Sequence, residues 1–152
     1  RLATRDKLSS DDIREALRRP SRSFHPRIND WVCEQGSVVD LHRLAGRLNN
    51  ERDQERVTAF AADIQQLQKM AREAAPTSDL VFALIDEIGL AGAVGTLDAQ
   101  RRGMNRAAQG DDLTAVQHLA ALHDDAASFE GWIREHLAVR RDPGGVMLST
   151  VH

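Results

Sequence analysis

Hydrophobic residues along this chain recur at intervals of three and four, a pattern that predicts a succession of amphipathic helices. The stretch SSDDIREALRRP opens on serines and aspartates, sets Ile13 and Leu17 one turn apart, and stops at Pro20. HPRINDWVCEQG places Pro26 near a helix start, puts Ile28, Trp31 and Val32 on one side, and closes on Gly36. SVVDLHRLAGRLNN aligns Leu41, Leu44, Ala45 and Leu48 on one face. The longest helix is expected from about Glu51 to Ala75, where Val57, Phe60, Ile64, Leu67, Ala71 and Ala74 form one apolar stripe and Pro76 supplies the stop. TSDLVFALIDEIG follows, capped by Ser78 and ended by Gly89. A glycine-interrupted segment, LAGAVGTLDAQRRGMNRAAQG, precedes DDLTAVQHLAALHDD and SFEGWIREHLAVRR. The expected fold class is all-α, a compact bundle of about seven or eight helices.

The end of the chain breaks this pattern. DPGG at 142–145 stops helix, and VMLSTVH alternates as a β-strand does, with Val146, Leu148 and Thr150 on one face. A lone strand leaves its backbone donors and acceptors unpaired. It must therefore dangle, pair with another chain's edge, or belong to a sheet outside this sequence. The third alternative accounts for a well-patterned strand after a helix-breaking turn. It makes the chain a fragment, with a helical unit at 1–142 and a turn and strand at 143–152.

Composition narrows the function classes. The 152 residues suit one domain, and 41% hydrophobic with 28% charged residues suits a globular one. With two Trp, four Phe and no Tyr, the core must be mostly Leu, Ile, Val and Ala. The single cysteine, Cys33, rules out an internal disulfide and fits a reducing compartment. No segment has the layout of a signal peptide, and the longest apolar run, LVFALI at 80–85, is too short for a membrane span. A cytoplasmic protein without a membrane partner is expected. Net charge is −3, yet between Ile13 and Ile28 five arginines face one acid, Glu15. Such an uneven charge map points either to a specific anionic contact or to a solvated arginine-rich helix end.

Catalytic chemistry is sparse. Asp86 and Glu87 in LVFALIDEIG imitate a magnesium-binding strand end, but Leu80, Val81, Leu84, Ile85 and Ile88 fit a helical stripe and no phosphate-binding loop exists. GLAGAVG has the wrong glycine spacing for a dinucleotide loop and reads as a helix end or tight helix crossing. His118 and His123, five apart, would not share a helix face, and no zinc-ligand spacing is present. Cys33, beside Trp31 and Val32, reads as buried, and Trp31 and Trp132 read as core residues. The residues alone support a binding or regulatory helical module without catalytic or metal-ligating residues.

VMLSTVH resembles the start of a motif in superfamily 1 helicases of the UvrD/Rep/PcrA type, in which a strand delivers T-x-H, then two residues and K-G. Thr150, Val151 and His152 match its first three positions. At the other end, RLATRDKLSSDDIREALRRPSRSF resembles the stretch where these helicases leave their second motor subdomain. The order of helices between also agrees, including I-D-x-x-G at 85–89 and F-x-x-W near 129–133. The resemblance implies the 2B insertion, a helical subdomain set within the second RecA-like motor domain. It implies further that the strand re-enters a motor-domain sheet, that ATP and magnesium belong to the parent helicase while this fragment holds no cofactor and is not itself catalytic, and that the subdomain contacts duplex DNA and gates unwinding by swivelling. The remaining motor subdomains would be its other partners. One departure is clear: the family's R-G-I-G turn lets backbone amides approach phosphates, whereas here Arg22-Ser23-Phe24-His25-Pro26 lacks those glycines. DNA contact would then fall to Arg18, Arg19, Arg22 and Arg27, with Ser23 as a further donor. The alternative is a free-standing helical module whose arginines bind an acidic protein partner.

Overall fold

The computed structural model describes residues 1–100 and 108–139. The strand and turn expected at 143–152, with Thr150 and His152, lie outside the described residues. Within them the protein is all-α, with eight helices: α1 (Ser10–Arg18), α2 (Pro26–Cys33), α3 (Val38–Ala45), α4 (Glu51–Arg72), α5 (Thr77–Phe82), α6 (Leu90–Gln100), α7 (Ala108–Ala120) and α8 (Ala126–Val139). Local sequence explains several starts. Ser9, Ser37 and Asn50 accept the backbone N–H of Asp12, Asp40 and Asp53 respectively, each with its side-chain oxygen, so three helices begin on polar caps. Acidic residues occupy the first turn in all three, where the helix dipole favours them.

α4 is the spine. Its 22 residues make a rod of about 33 Å, and α3 packs along it. A continuous core joins Ile13 and Leu17 of α1, Ile28 and Val32 of α2, Leu41 and Ala45 of α3, and Val57, Phe60, Ala61 and Ile64 of α4. Ile13, Val32, Leu41, Val57 and Ala61 are wholly sealed from solvent. Cys33 is buried here too, and burial pushes its thiol pKa up. Beyond this core, α5 packs on α7 and α8, and α6 on α7. Leu80, Ala83, Ile85, Val94, Ala120 and Phe129 are buried there among the described residues.

Several boundaries differ from the pattern. α4 ends at Arg72 and not Ala75, because Ala74 turns left-handed at φ 53° before Pro76, which disfavours helix at the residue ahead of it. The α4 stripe also shifts. Ala74 is exposed, while Gln68 is buried and donates to the carbonyls of Leu2 and Arg5, both at 3.0 Å. Ser78 does not cap α5. Helix begins at Thr77, directly after the extended Pro76, so Ser78 already lies in the first turn. α5 continues into a π-helical turn at Ala83–Glu87, closed by Ile88 N–H donating to Ala83 at 2.9 Å. The wider turn rotates the apolar face, leaving Leu84 exposed while Ile85 is buried. Gly89 ends the segment at φ 88°. Gly92 and Gly95 lie inside α6 with open space where a Cβ would stand, so neither marks a tight helix crossing.

The N-terminal segment clasps both ends of the bundle. Arg1 donates to Glu130 of α8 at 2.9 Å and to Asp12 of α1 at 3.2 Å. Its hydrogen bond outweighs burial and holds the Glu130 carboxyl below the usual glutamate range. A depressed folded pKa stabilises above the unfolded value, about 4.3, and the gain vanishes as pH falls through the lower folded value. Glu130→Gln should therefore lower stability at pH 7 by up to about 1 kcal/mol, and the deficit should shrink as pH falls from 7 toward 3. Urea midpoints across that range check this. A deficit of equal size at both ends would exclude the ionic contribution.

Candidate nucleic-acid interface at the α1–α2 turn

The five residues expected to meet DNA all lie at the junction of α1 and α2, but they do not all face outward. Arg18 closes α1 and donates to Glu15 at 2.9 Å, with both side chains mostly exposed. Arg19 leaves helical conformation (φ −146°, ψ 113°), is exposed, and has no partner among the described residues. Pro20 follows a cis peptide bond. Arg27 stands on the first turn of α2, exposed, with its guanidinium 4.8 Å from the Trp31 ring centroid.

Arg22 turns the other way. Its guanidinium reaches Asp63 of α4 at 2.6 Å and lies 5.6 Å from the Phe60 ring centroid. The side chain is only 17% exposed, and its buried Nε has no hydrogen-bond partner. This geometry excludes Arg22 from the outward-facing set. Ser23 is held through its backbone, left-handed at φ 53°, with its N–H donating to Ser21 Oγ at 3.4 Å and its carbonyl accepting Arg56 of α4 at 2.8 Å, while the residue itself is exposed. Buried Phe24 follows, and then His25, whose Nδ1 accepts the Arg27 N–H at 3.3 Å and so caps α2. That acceptor role requires an unprotonated Nδ1.

The turn is therefore a clamp with two faces. Arg22 and Arg56 fix it to α4 and Phe24 is buried in the core, while Arg18, Arg19 and Arg27 are exposed, Arg19 on the rim of a cavity it shares with Arg22. The Arg18–Glu15 pair is exposed and worth little, so an incoming phosphate competes for Arg18 readily. Arg22 is a poor phosphate ligand, because extracting it strands Asp63. Arg56 and Asp63 carry no local signal of this role, since both come from a helix distant in sequence.

A cavity of about 330 Å³ opens beside the clamp, with Phe60, Ile64, Leu67, Leu84 and Ile88 among its apolar lining. Glu15 and Asp63 share its rim with Arg19 and Arg22, so it offers no net field for an anion. Elsewhere, Asp86 and Glu87 are exposed on the π-helical turn, and Gln66 donates to Glu87. His118 is exposed on α7, whereas His123 lies beyond that helix against Phe129 and Trp132. Trp132 stacks on His136 at 4.0 Å, and both tryptophans are half-buried. Among the described residues, no group of three or more His, Cys, Asp or Glu side chains could hold a metal ion. No helix there is long and apolar enough to cross a membrane. No family model matches the chain, nor does any curated protein or solved structure.

Breaking the clamp should cost stability from either side. Arg22→Ala and Asp63→Ala are each expected to lose about 1–3 kcal/mol, because each leaves a partly buried charge unpaired. The double variant should cost less than the sum, with a coupling of about 1 kcal/mol. Arg22→Lys should recover only part, since an ammonium lacks the flat guanidinium face over Phe60. Additive losses in urea denaturation would mean that the pair is not formed in solution.

Proposed function

We propose that this helical body is the DNA-contacting regulatory subdomain of an ATP-dependent DNA helicase, and that it engages duplex phosphates through Arg18, Arg19 and Arg27. The observation that carries the reading is the clamp itself. Three guanidiniums project from a turn whose inward arginine is tied to the longest helix. Presenting them from a fixed base spares part of the ordering cost that loose arginines incur on binding. The order of sequence features that resembles the helicase 2B insertion supplies the identity of the anion, a duplex. ATP and magnesium would act in the parent's motor subdomains.

The chemistry available is charge neutralisation. Arginine forms bidentate hydrogen bonds with phosphate, and each contact releases condensed counterions. None of the three arginines sits on a helix shown to enter a groove, so sequence should matter little. An overall charge of −3 opposes association and keeps it weak. Weak, sequence-blind contact suits a subdomain that must release and re-engage DNA as it swivels.

Fluorescence anisotropy with a short duplex at low ionic strength tests this. Affinity at physiological salt should fall near the weak end of non-specific binding, about 10⁻⁴ M. Log affinity against log salt should have a slope of about −3, from roughly −0.9 for each of three contacts. Each single Ala substitution of Arg18, Arg19 or Arg27 should flatten the slope by about one unit at every duplex sequence tried. If the triple variant binds duplex as well as the parent does, the arginines are a solvated helix end.

A further inference from the structure

The turn that carries the outward arginines also carries an exposed serine with little structural work. Ser21 lies between the two anchored residues of the clamp and the end of α1. Its hydroxyl has one long contact, accepting the Ser23 N–H at 3.4 Å. Arg18 and Arg19 stand three and two positions before it, both exposed. The chain has left helical conformation by Arg19, so Arg19–Ser21 meets another protein without unfolding α1. Ser23 differs, because Arg56 holds its carbonyl against α4.

We propose that Ser21 is a phosphorylation site and that its phosphate turns the arginine contact off. The inference rests on the duplex reading above. The phosphoryl donor is ATP. The bond between the γ-phosphorus and its bridging oxygen breaks, a new P–O bond forms to Ser21 Oγ, ADP departs, and the hydroxyl proton passes to the enzyme's base. The enzyme is a separate Ser/Thr kinase whose substrate groove presents carboxylates, the groups that pair best with two arginines just ahead of the acceptor.

The product brings a charge of roughly −1.5 to −2 and three strong acceptor oxygens into the cluster. Arg19, two positions before Ser21, exposed and without a partner among the described residues, is available to it. Arg18 follows, held only by its exposed pair with Glu15. Arg22 stays with Asp63 at 2.6 Å, so the clamp persists while its outer face is neutralised. Two of three phosphate contacts are lost to an internal phosphate, and Arg27 remains.

Two preparations of the 152-residue chain test this. In the first, the parent and Ser21→Ala are incubated with an arginine-directed Ser/Thr kinase and ATP, and the phosphate is mapped by mass spectrometry. Phosphate is expected at Ser21 in the parent and absent in Ser21→Ala. Phosphorylation at other positions without Ser21, or none at all, overturns the site. In the second, phosphoserine is incorporated at position 21 during translation and duplex binding is followed against salt. The slope should relax from about −3 to about −1, with Ser21→Ala at the parent value. A parent slope in the phosphoserine chain overturns the switch and leaves the duplex reading intact. A parent chain with no salt-dependent duplex binding overturns that reading itself.

Discussion

The ion pair between Arg22 and Asp63 decides what the arginine-rich turn presents to its surroundings. Arginine-rich turns are flexible by default, because each long side chain gains entropy by staying in water. Here one arginine is withdrawn onto α4, beside Phe60, and the chain on either side is fixed by that withdrawal. The Arg56 contact to the Ser23 carbonyl and the burial of Phe24 complete the attachment. The pair withdraws one guanidinium from the cluster and leaves Arg18, Arg19 and Arg27 exposed. A carboxylate on a core-facing stripe, unfavourable alone, is tolerable because a guanidinium meets it.

The same logic of distant anchoring recurs at the N-terminal segment. Gln68, buried on α4, satisfies the carbonyls of Leu2 and Arg5, and Arg1 bridges α1 to α8. α4 thus serves as a common floor for the segment before α1 and for the turn after it. Both ends of α1 are referenced to one rod, which makes the direction in which Arg18 and Arg19 point a property of the whole core. A perturbation of that core should reach the arginines even where no side chain in the turn has changed.

Period and capping made most of the helices legible in the sequence. Ile13 with Leu17, Leu41 with Ala45, and Val57 with Phe60 and Ile64 are buried as their spacing implies. Errors arose where geometry departs from the ideal helix. The π-helical turn at Ala83–Glu87 rotates Leu84 into solvent, and the left-handed Ala74 ends α4 early. A 3.6-residue period encodes neither. The candidate site was legible as a charge cluster but not as a directed surface. Five arginines look alike in a string of letters, and only the partner Asp63 separates the inward Arg22 from the exposed ones. Trp31 lies one turn from Arg27 and was within reach of a local reading. Asp63, from another helix, was not.

The central claim is that Arg22 is fixed against α4 while Arg18, Arg19 and Arg27 remain in water. Nuclear magnetic resonance of the arginine side-chain Nε–H groups measures this directly. Arg22 should give an Hε signal slow to exchange with water, shifted by the Phe60 ring and showing cross-relaxation to it, and Arg22→Lys identifies it by removal. Arg18 and Arg19 should exchange rapidly and show no such contact. If the Arg22 Hε exchanges as fast as theirs and has no contact with Phe60, the clamp does not exist and the arginines form one loose cluster.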